Sequence, residues 1–174
     1  MERKNAWKGA DLGALETFAA QYREFLNQGK TERECVELCV RAAGLAGFMN
    51  LSACTAENRR LQPGDRVYAN WMGKAFLMFI IGSQELSHGM NILGAHIDSP
   101  RIDVKQNPLY EEADLAYLDT HYYGGIKKYQ WVATPLAIHG VVVKKNGDTI
   151  ALSVGENEND PVFCISDLLP HLAQ

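Results

Sequence analysis

Apolar residues recur at helical spacing near the N-terminus. Leu12, Leu15, Phe18, Ala19 and Tyr22 fall three and four apart, and Phe25 and Leu26 extend the stripe. Asp11 is placed to cap this helix and Gly29 to stop it. A second helix is predicted from Thr31, because Thr31-Glu32-Arg33-Glu34 has the form of a capping box. Val36, Cys39, Val40 and Ala43 supply its buried face, and Gly44 or Gly47 ends it. The pattern then turns to β. Pro63-Gly64-Asp65 signals a turn, and Arg66 to Trp71 alternates. Ala75 to Ile81 is a solid apolar run, as expected of a strand covered on both faces. Asn91 to Ala95 reads as a short strand running into His96, and Pro100 as its stop. Trp131 to Val143, interrupted by Pro135, reads as a further strand. Lys145-Asn146-Gly147-Asp148 reads as a hairpin turn, with Thr149 to Val154 as the returning strand. Asp160 to Gln174 reads as a loop followed by a short helix around Ile165 to Leu172. The texture changes near Gly140 from mixed helix and buried strand to a polar, hairpin-rich region, which sets an expected domain boundary between residues 1–139 and 140–174.

Composition narrows the function classes. The 174 residues include 17 Lys and Arg against 21 Asp and Glu, with 47% hydrophobic and 22% charged positions. This is a globular composition and excludes a disordered tail, a fibre and a coiled coil. The mild acidity weighs against nucleic acid as a partner. No apolar run approaches the ~20 residues of a membrane helix, and Met1 to Ala10 lacks the apolar stretch of a secretory signal, so a cytoplasmic protein with no membrane partner is expected. Cys35 and Cys39 lie four apart on one helix, Cys54 and Cys164 are isolated, and no CxxC pair occurs; reduced thiols are expected.

The densest chemistry lies in Gly94-Ala95-His96-Ile97-Asp98-Ser99-Pro100-Arg101. On a strand, His96 and Asp98 would face the same side. An imidazole suits zinc, and a neighbouring carboxylate can fix its tautomer; the same pair also serves as a structural hydrogen bond at a strand end. A second cluster, Asp119 to Trp131, holds Gly124-Gly125 among aromatics and the Lys127-Lys128 pair. Adjacent glycines admit a ligand close to the backbone, and an aromatic surface loop has the same composition. No phosphate-loop pattern is present. His171 near an apolar helix reads as a packing residue, and His88 and His139 as structural or surface residues. Glu111, Glu112 and Asp114 follow Asn-Pro-Leu-Tyr in an expected loop and read as solvated.

Four blocks in this order resemble the aspartyl aminopeptidase and vacuolar aminopeptidase family of zinc metallopeptidases, its bacterial members above all. They are the run from Gly94 to Lys105, Asn107-Pro-Leu-Tyr-Glu, the run from Thr120 to Trp131, and Ile165 to Ala173. The resemblance implies an α/β catalytic domain, a sheet flanked by helices, with an inserted β-rich dimerisation domain that the texture change near Gly140 would begin. It implies a peptide substrate, two divalent metals (zinc, with cobalt or manganese acceptable to the same donors) and homo-oligomers, dimers assembling into dodecamers. Carried over residue by residue, His96 matches the first zinc-ligand histidine and Asp98 the catalytic-site aspartate that orients it. His171 matches a histidine that ligates metal or touches substrate from the neighbouring subunit, and Gly124 and Gly125 match a pair lining the cleft. Lys127 and Lys128 would suit an acidic N-terminal residue. The bridging carboxylate, the remaining ligands and the glutamate base of the family have no counterpart between His96 and Gln174. The chain therefore reads as the N-terminal part of such a peptidase, ending inside the inserted domain and incomplete as a catalyst. The alternative expectation is an inactive fragment serving as a structural or assembly module; a generic small-molecule-binding domain leaves the ordered blocks unexplained.

Overall fold

The Asp11 carboxylate accepts a hydrogen bond from the Ala14 amide at 3.1 Å and starts helix α1, Leu12–Gln28. The structure, a computed structural model, describes Asn5 and residues 7–165. At the far end of α1 the Gly29 amide donates to the Phe25 carbonyl at 2.9 Å. A Cβ on Gly29 would lie 2.9 Å from the Cys35 sulfur, so this stop is needed for space as well as for its cap. The predicted single stripe of α1 divides. Leu15, Ala19 and Phe25 are half-buried, whereas Phe18, Tyr22 and Leu26, four apart, stay exposed. Helix α2, Glu32–Leu45, packs against α1. Its capping box is formed as predicted: Thr31 Oγ1 accepts from the Glu34 amide, and the Glu34 carboxylate accepts from the Thr31 amide at 2.8 Å. Gly47, at φ +77°, closes the helix, with the Phe48 amide donating back to the Ala43 carbonyl.

Strand β1 (Met49–Asn50) leads into helix α3 (Leu51–Ala56). Strands β2 (Arg66–Trp71) and β3 (Ala75–Ile80) form an antiparallel hairpin, and β1 joins the far side of β2 in parallel, giving the order β1-β2-β3. The buried side chains among the described residues are Cys35, Val36 and Ala43 of α2, Cys54 of α3 and Val67 of β2. The core of this unit thus sits where α2 and α3 cover β2. Strand β3 forms but departs from the expectation of cover on both faces. Helix α2 packs against it and Phe76 is half-buried. Leu77 and Phe79 on one face and Met78 and Ile80 on the other all remain exposed.

The compact units divide between Ile97 and Asp98. In the second unit, β4 (Arg101–Glu112) and β5 (Leu115–Tyr123) make a long antiparallel hairpin where a loop was expected. Asn107 and Pro108 lie inside β4 because the register shifts between Val104 and Leu109, and a bulge tolerates a residue that cannot donate to the ladder. Ala113 and Asp114 turn the chain with both φ angles positive, and Glu112 pairs with Leu115 across them. Glu111, Glu112 and Asp114 are exposed, as read. Strands β6 (Ile138–Val143) and β7 (Thr149–Val154) form the hairpin expected around Asn146-Gly147. Only Gly147 of that pair has positive φ, and the Gly147 amide donates to the Lys144 carbonyl. The long strand predicted from Trp131 begins instead at Ile138; Val132 and Leu136 make single bridges to Ile165 and Phe163. Gly140, where the boundary is expected, lies within β6 opposite Leu152. The short helix read around Ile165 to Leu172 falls mostly outside the described residues.

Candidate metal and substrate site

His96 sits in an extended segment. From Gly89 to Pro100 the backbone has no helix or strand, so the strand expected to deliver His96 and Asp98 on one side does not form among the described residues. Asn91 to Ala95 has a strand's composition, but a strand exists only through a neighbour that completes its hydrogen bonds. Pro100 consequently precedes a strand, β4, instead of ending one. His96 is exposed and Asp98 half-buried.

Asp98 belongs to a defined cluster in the second unit. The Tyr123 hydroxyl donates to Asp98 Oδ2 at 2.8 Å. Tyr123 pairs with Arg101 across the β4–β5 ladder, which places the Arg101 guanidinium 4.1 Å from the centre of its ring. Arg101 Nε donates to Asp103 Oδ1 at 2.7 Å. Gly124 follows directly, at φ +73°, with the position of a Cβ 3.6 Å from Pro100; a side chain there would be strained by the backbone. Gly125 has open space around it and no such requirement. Lys128 Nζ lies 5.4 Å from the centre of the Tyr122 ring.

Tyr123 and Arg101 were not singled out by sequence reasoning. The signal that finds them is the register of β4 against β5, which the Asn-Pro step hid. His121 stacks on Tyr122 with ring centres 5.0 Å apart, and His139 Nε2 meets Glu156 Oε1 at 2.8 Å. His88 lies in a short 3-10 turn, Leu86–His88. His171 lies outside the described residues. An open hollow of about 600 Å³ at the β4 bulge is lined by Val104, Lys105, Asn107, Asp119 and His121, none of them a predicted site residue. Lys105 and Asp119 pair there at 2.9 Å.

Among the described residues no three His, Cys, Asp or Glu side chains come together in a way that could hold a metal ion. Zinc takes three or four protein donors. One imidazole with one carboxylate falls short of that set, so the described residues do not fit a zinc centre by themselves. The cysteines do not supply the missing donors. All four are free thiols, and burial, followed by the negative charges of Cys39, Glu34 and Glu32, pushes the Cys35 thiol up from its ordinary value.

The sequence profile of the Aminopeptidase I zinc metalloprotease (M18) family matches residues 25–174. A probable M18 family aminopeptidase 1 of Clostridium acetobutylicum is 55% identical over 175 residues, covering 99% of this chain and 38% of that protein. The crystal structure of an M18-family aminopeptidase from Thermotoga maritima matches with a TM-score of 0.88 at 44% identity, covering 100% of this chain and 38% of that one. The fold also matches a dodecamer structure, mApe1 of Saccharomyces cerevisiae, with a TM-score of 0.74 at 21% identity over 89% of this chain and 36% of that one. The chain spans about two fifths of the length of the curated relatives it matches. With the profile matched over most of its residues, the chain belongs to the M18 family of aminopeptidase I zinc metalloproteases.

Proposed function

We propose that the chain supplies the N-terminal portion of a cytoplasmic zinc-dependent aminopeptidase that removes N-terminal residues from peptides. The observation that carries this reading is the 55% identity to an M18 aminopeptidase over 99% of the chain, a stretch that includes Gly94 to Lys105 with His96 and Asp98. In this reading His96 is one zinc donor, and Asp98 orients its imidazole. His171 is a second donor or a substrate contact reaching a neighbouring subunit, and Gly124 and Gly125 line the substrate cleft. The chain carries the start of an inserted β-rich dimerisation domain, and assembly is a homo-oligomer, for which the yeast dodecamer with the same fold is the precedent.

A second reading is favoured by the donor count. With no cluster of three metal-binding side chains among the described residues, this stretch by itself carries no hydrolytic step. Two-metal activation of water needs donors beyond those described. The chain alone then contributes fold and assembly surface while its catalytic competence depends on added ligands. Release of an aminoacyl chromophore separates the two readings. The chain alone is expected to be inactive, and the chain extended by the remainder of an M18 relative is expected to show chelator-sensitive turnover that His96→Ala removes. Turnover by the 174 residues alone, or full turnover with His96→Ala in the extended protein, would overturn the assignment.

A further inference from the structure

Asp98 is half-buried and lies two residues before Pro100, which leads into β4. The terminal torsion of an aspartate has broad minima, so a carboxylate that must face one direction needs a donor to hold it. The Tyr123 hydroxyl is that donor, at 2.8 Å. Tyr123 is itself held. Its backbone forms the end pair of the β4–β5 ladder, opposite Arg101. Gly124, next in the chain, runs against Pro100, 3.6 Å from where a Cβ would stand. The Tyr123 ring carries the Arg101 guanidinium at 4.1 Å, and Arg101 is fixed in turn by Asp103 at 2.7 Å. Asp98 and Tyr123 are thereby anchored at the same open end of one hairpin. Tyr123 is 39% exposed, and a hydroxyl in reach of water gains only modest stability by exchanging it for a protein partner. What the bond does give is direction.

We infer that Tyr123 is a positioning residue of the peptidase reaction. Its hydroxyl fixes the direction of the Asp98 carboxylate, and Arg101, clamped by Asp103, fixes the Tyr123 ring. The inference rests on the reading of Asp98 as the residue that orients His96, and it adds a residue that acts only through Asp98. Tyr123 touches neither substrate nor reacting atoms in this role. A small misplacement of an orienting group lowers the rate of the chemical step while leaving substrate contacts in place. Loss of the Tyr123 hydroxyl therefore falls on kcat and spares KM.

In the chain itself, the Hα–Hβ coupling constants of Asp98 measured by NMR are expected to report a single side-chain rotamer, which Tyr123→Phe averages. In the chain extended by the remainder of the Clostridium relative, Tyr123→Phe is expected to lower kcat by about tenfold or more and to change KM by less than about twofold, the pattern of a lost orienting contact. Arg101→Gln is expected to act in the same direction and by less. Asp98→Ala is expected to lower kcat further, and adding Tyr123→Phe to it to cost nothing more, because Tyr123 then has no partner to act on. Tyr117→Phe, whose ring stacks on Tyr110 near the turn of the same hairpin, is expected to leave both constants unchanged. An averaged Asp98 in the unsubstituted chain, an unaltered kcat for Tyr123→Phe, a loss confined to KM, or a further full loss in the double variant would each overturn the inference. The two failures are distinct. Full turnover with His96→Ala overturns the reading of His96 whatever Tyr123→Phe does. Full turnover with Tyr123→Phe, beside an inactive His96→Ala, overturns the positioning role alone.

Discussion

Val36 is fully buried in α2, one of five buried hydrophobic side chains among the described residues, and with Val67 the largest of those that are fully buried. Replacing Val36 by Ala removes two methyl groups, worth about 1.6 kcal/mol in transfer free energy at ~0.8 kcal/mol each. Incomplete collapse of the cavity adds about 1 kcal/mol. The expected destabilisation is therefore about 2–3 kcal/mol. Phe18 is the control. It is larger, but it is 70% exposed on the outer row of α1, and Phe18→Ala is expected to change stability by less than about 0.5 kcal/mol. Urea unfolding followed by circular dichroism reads the difference. With a slope of ~1–1.5 kcal/mol/M for a unit of this size, Val36→Ala moves the midpoint down by about 2 M and Phe18→Ala hardly at all. Equal shifts for the two variants would refute the placement of the core between α2, α3 and β2.

Further outcomes follow from the second unit and the thiols. Tyr123→Phe removes the donor to Asp98 and is expected to cost about 1 kcal/mol, a modest value because the pair is partly solvated; an unchanged unfolding midpoint would contradict that bond. The Asp160 carboxyl accepts from the Gly155 amide and from the Asn157 amide and side chain, which hold it below its ordinary 3.8. Its contribution is present above about pH 3.8 and is lost as the pH falls through the lower folded-state value. An NMR titration in which Asp160 protonates at or above 3.8 would refute this. With iodoacetamide near pH 8, exposed Cys164 is expected to react first, while burial pushes the Cys35 and Cys39 thiols up and slows both; mass spectrometry showing Cys35 labelled first would contradict the packing of α2.

Elements whose signals are local were readable from the chain. Asp11, the Thr31–Glu34 box and Gly47 each act on backbone within a few residues, and each does what its residue type predicts, while Asn146-Gly147 marks the hairpin with positive φ at Gly147 alone. Elements decided by neighbours were not. The β4–β5 hairpin was hidden by Asn107-Pro108, which a bulge absorbs, and by an Ala113-Asp114 turn lacking glycine. Asn91 to Ala95 misled in the opposite direction, since its apolar composition suits a strand while the described residues offer it no partner. The same distinction runs through the site. His96 and Asp98 stand out as a motif, but the Tyr123 hydroxyl on Asp98 depends on a register that only pairing reveals.

Zinc retention tests the central claim most directly. The chain, and the chain extended by the remainder of an M18 relative, would be dialysed against zinc and then against metal-free buffer, and their metal measured by mass spectrometry. The account predicts that the chain alone retains no zinc, that the extended protein retains it, and that His96→Ala in the extended protein lowers its zinc content. Stoichiometric zinc on the chain alone, or unchanged zinc after His96→Ala, would contradict it.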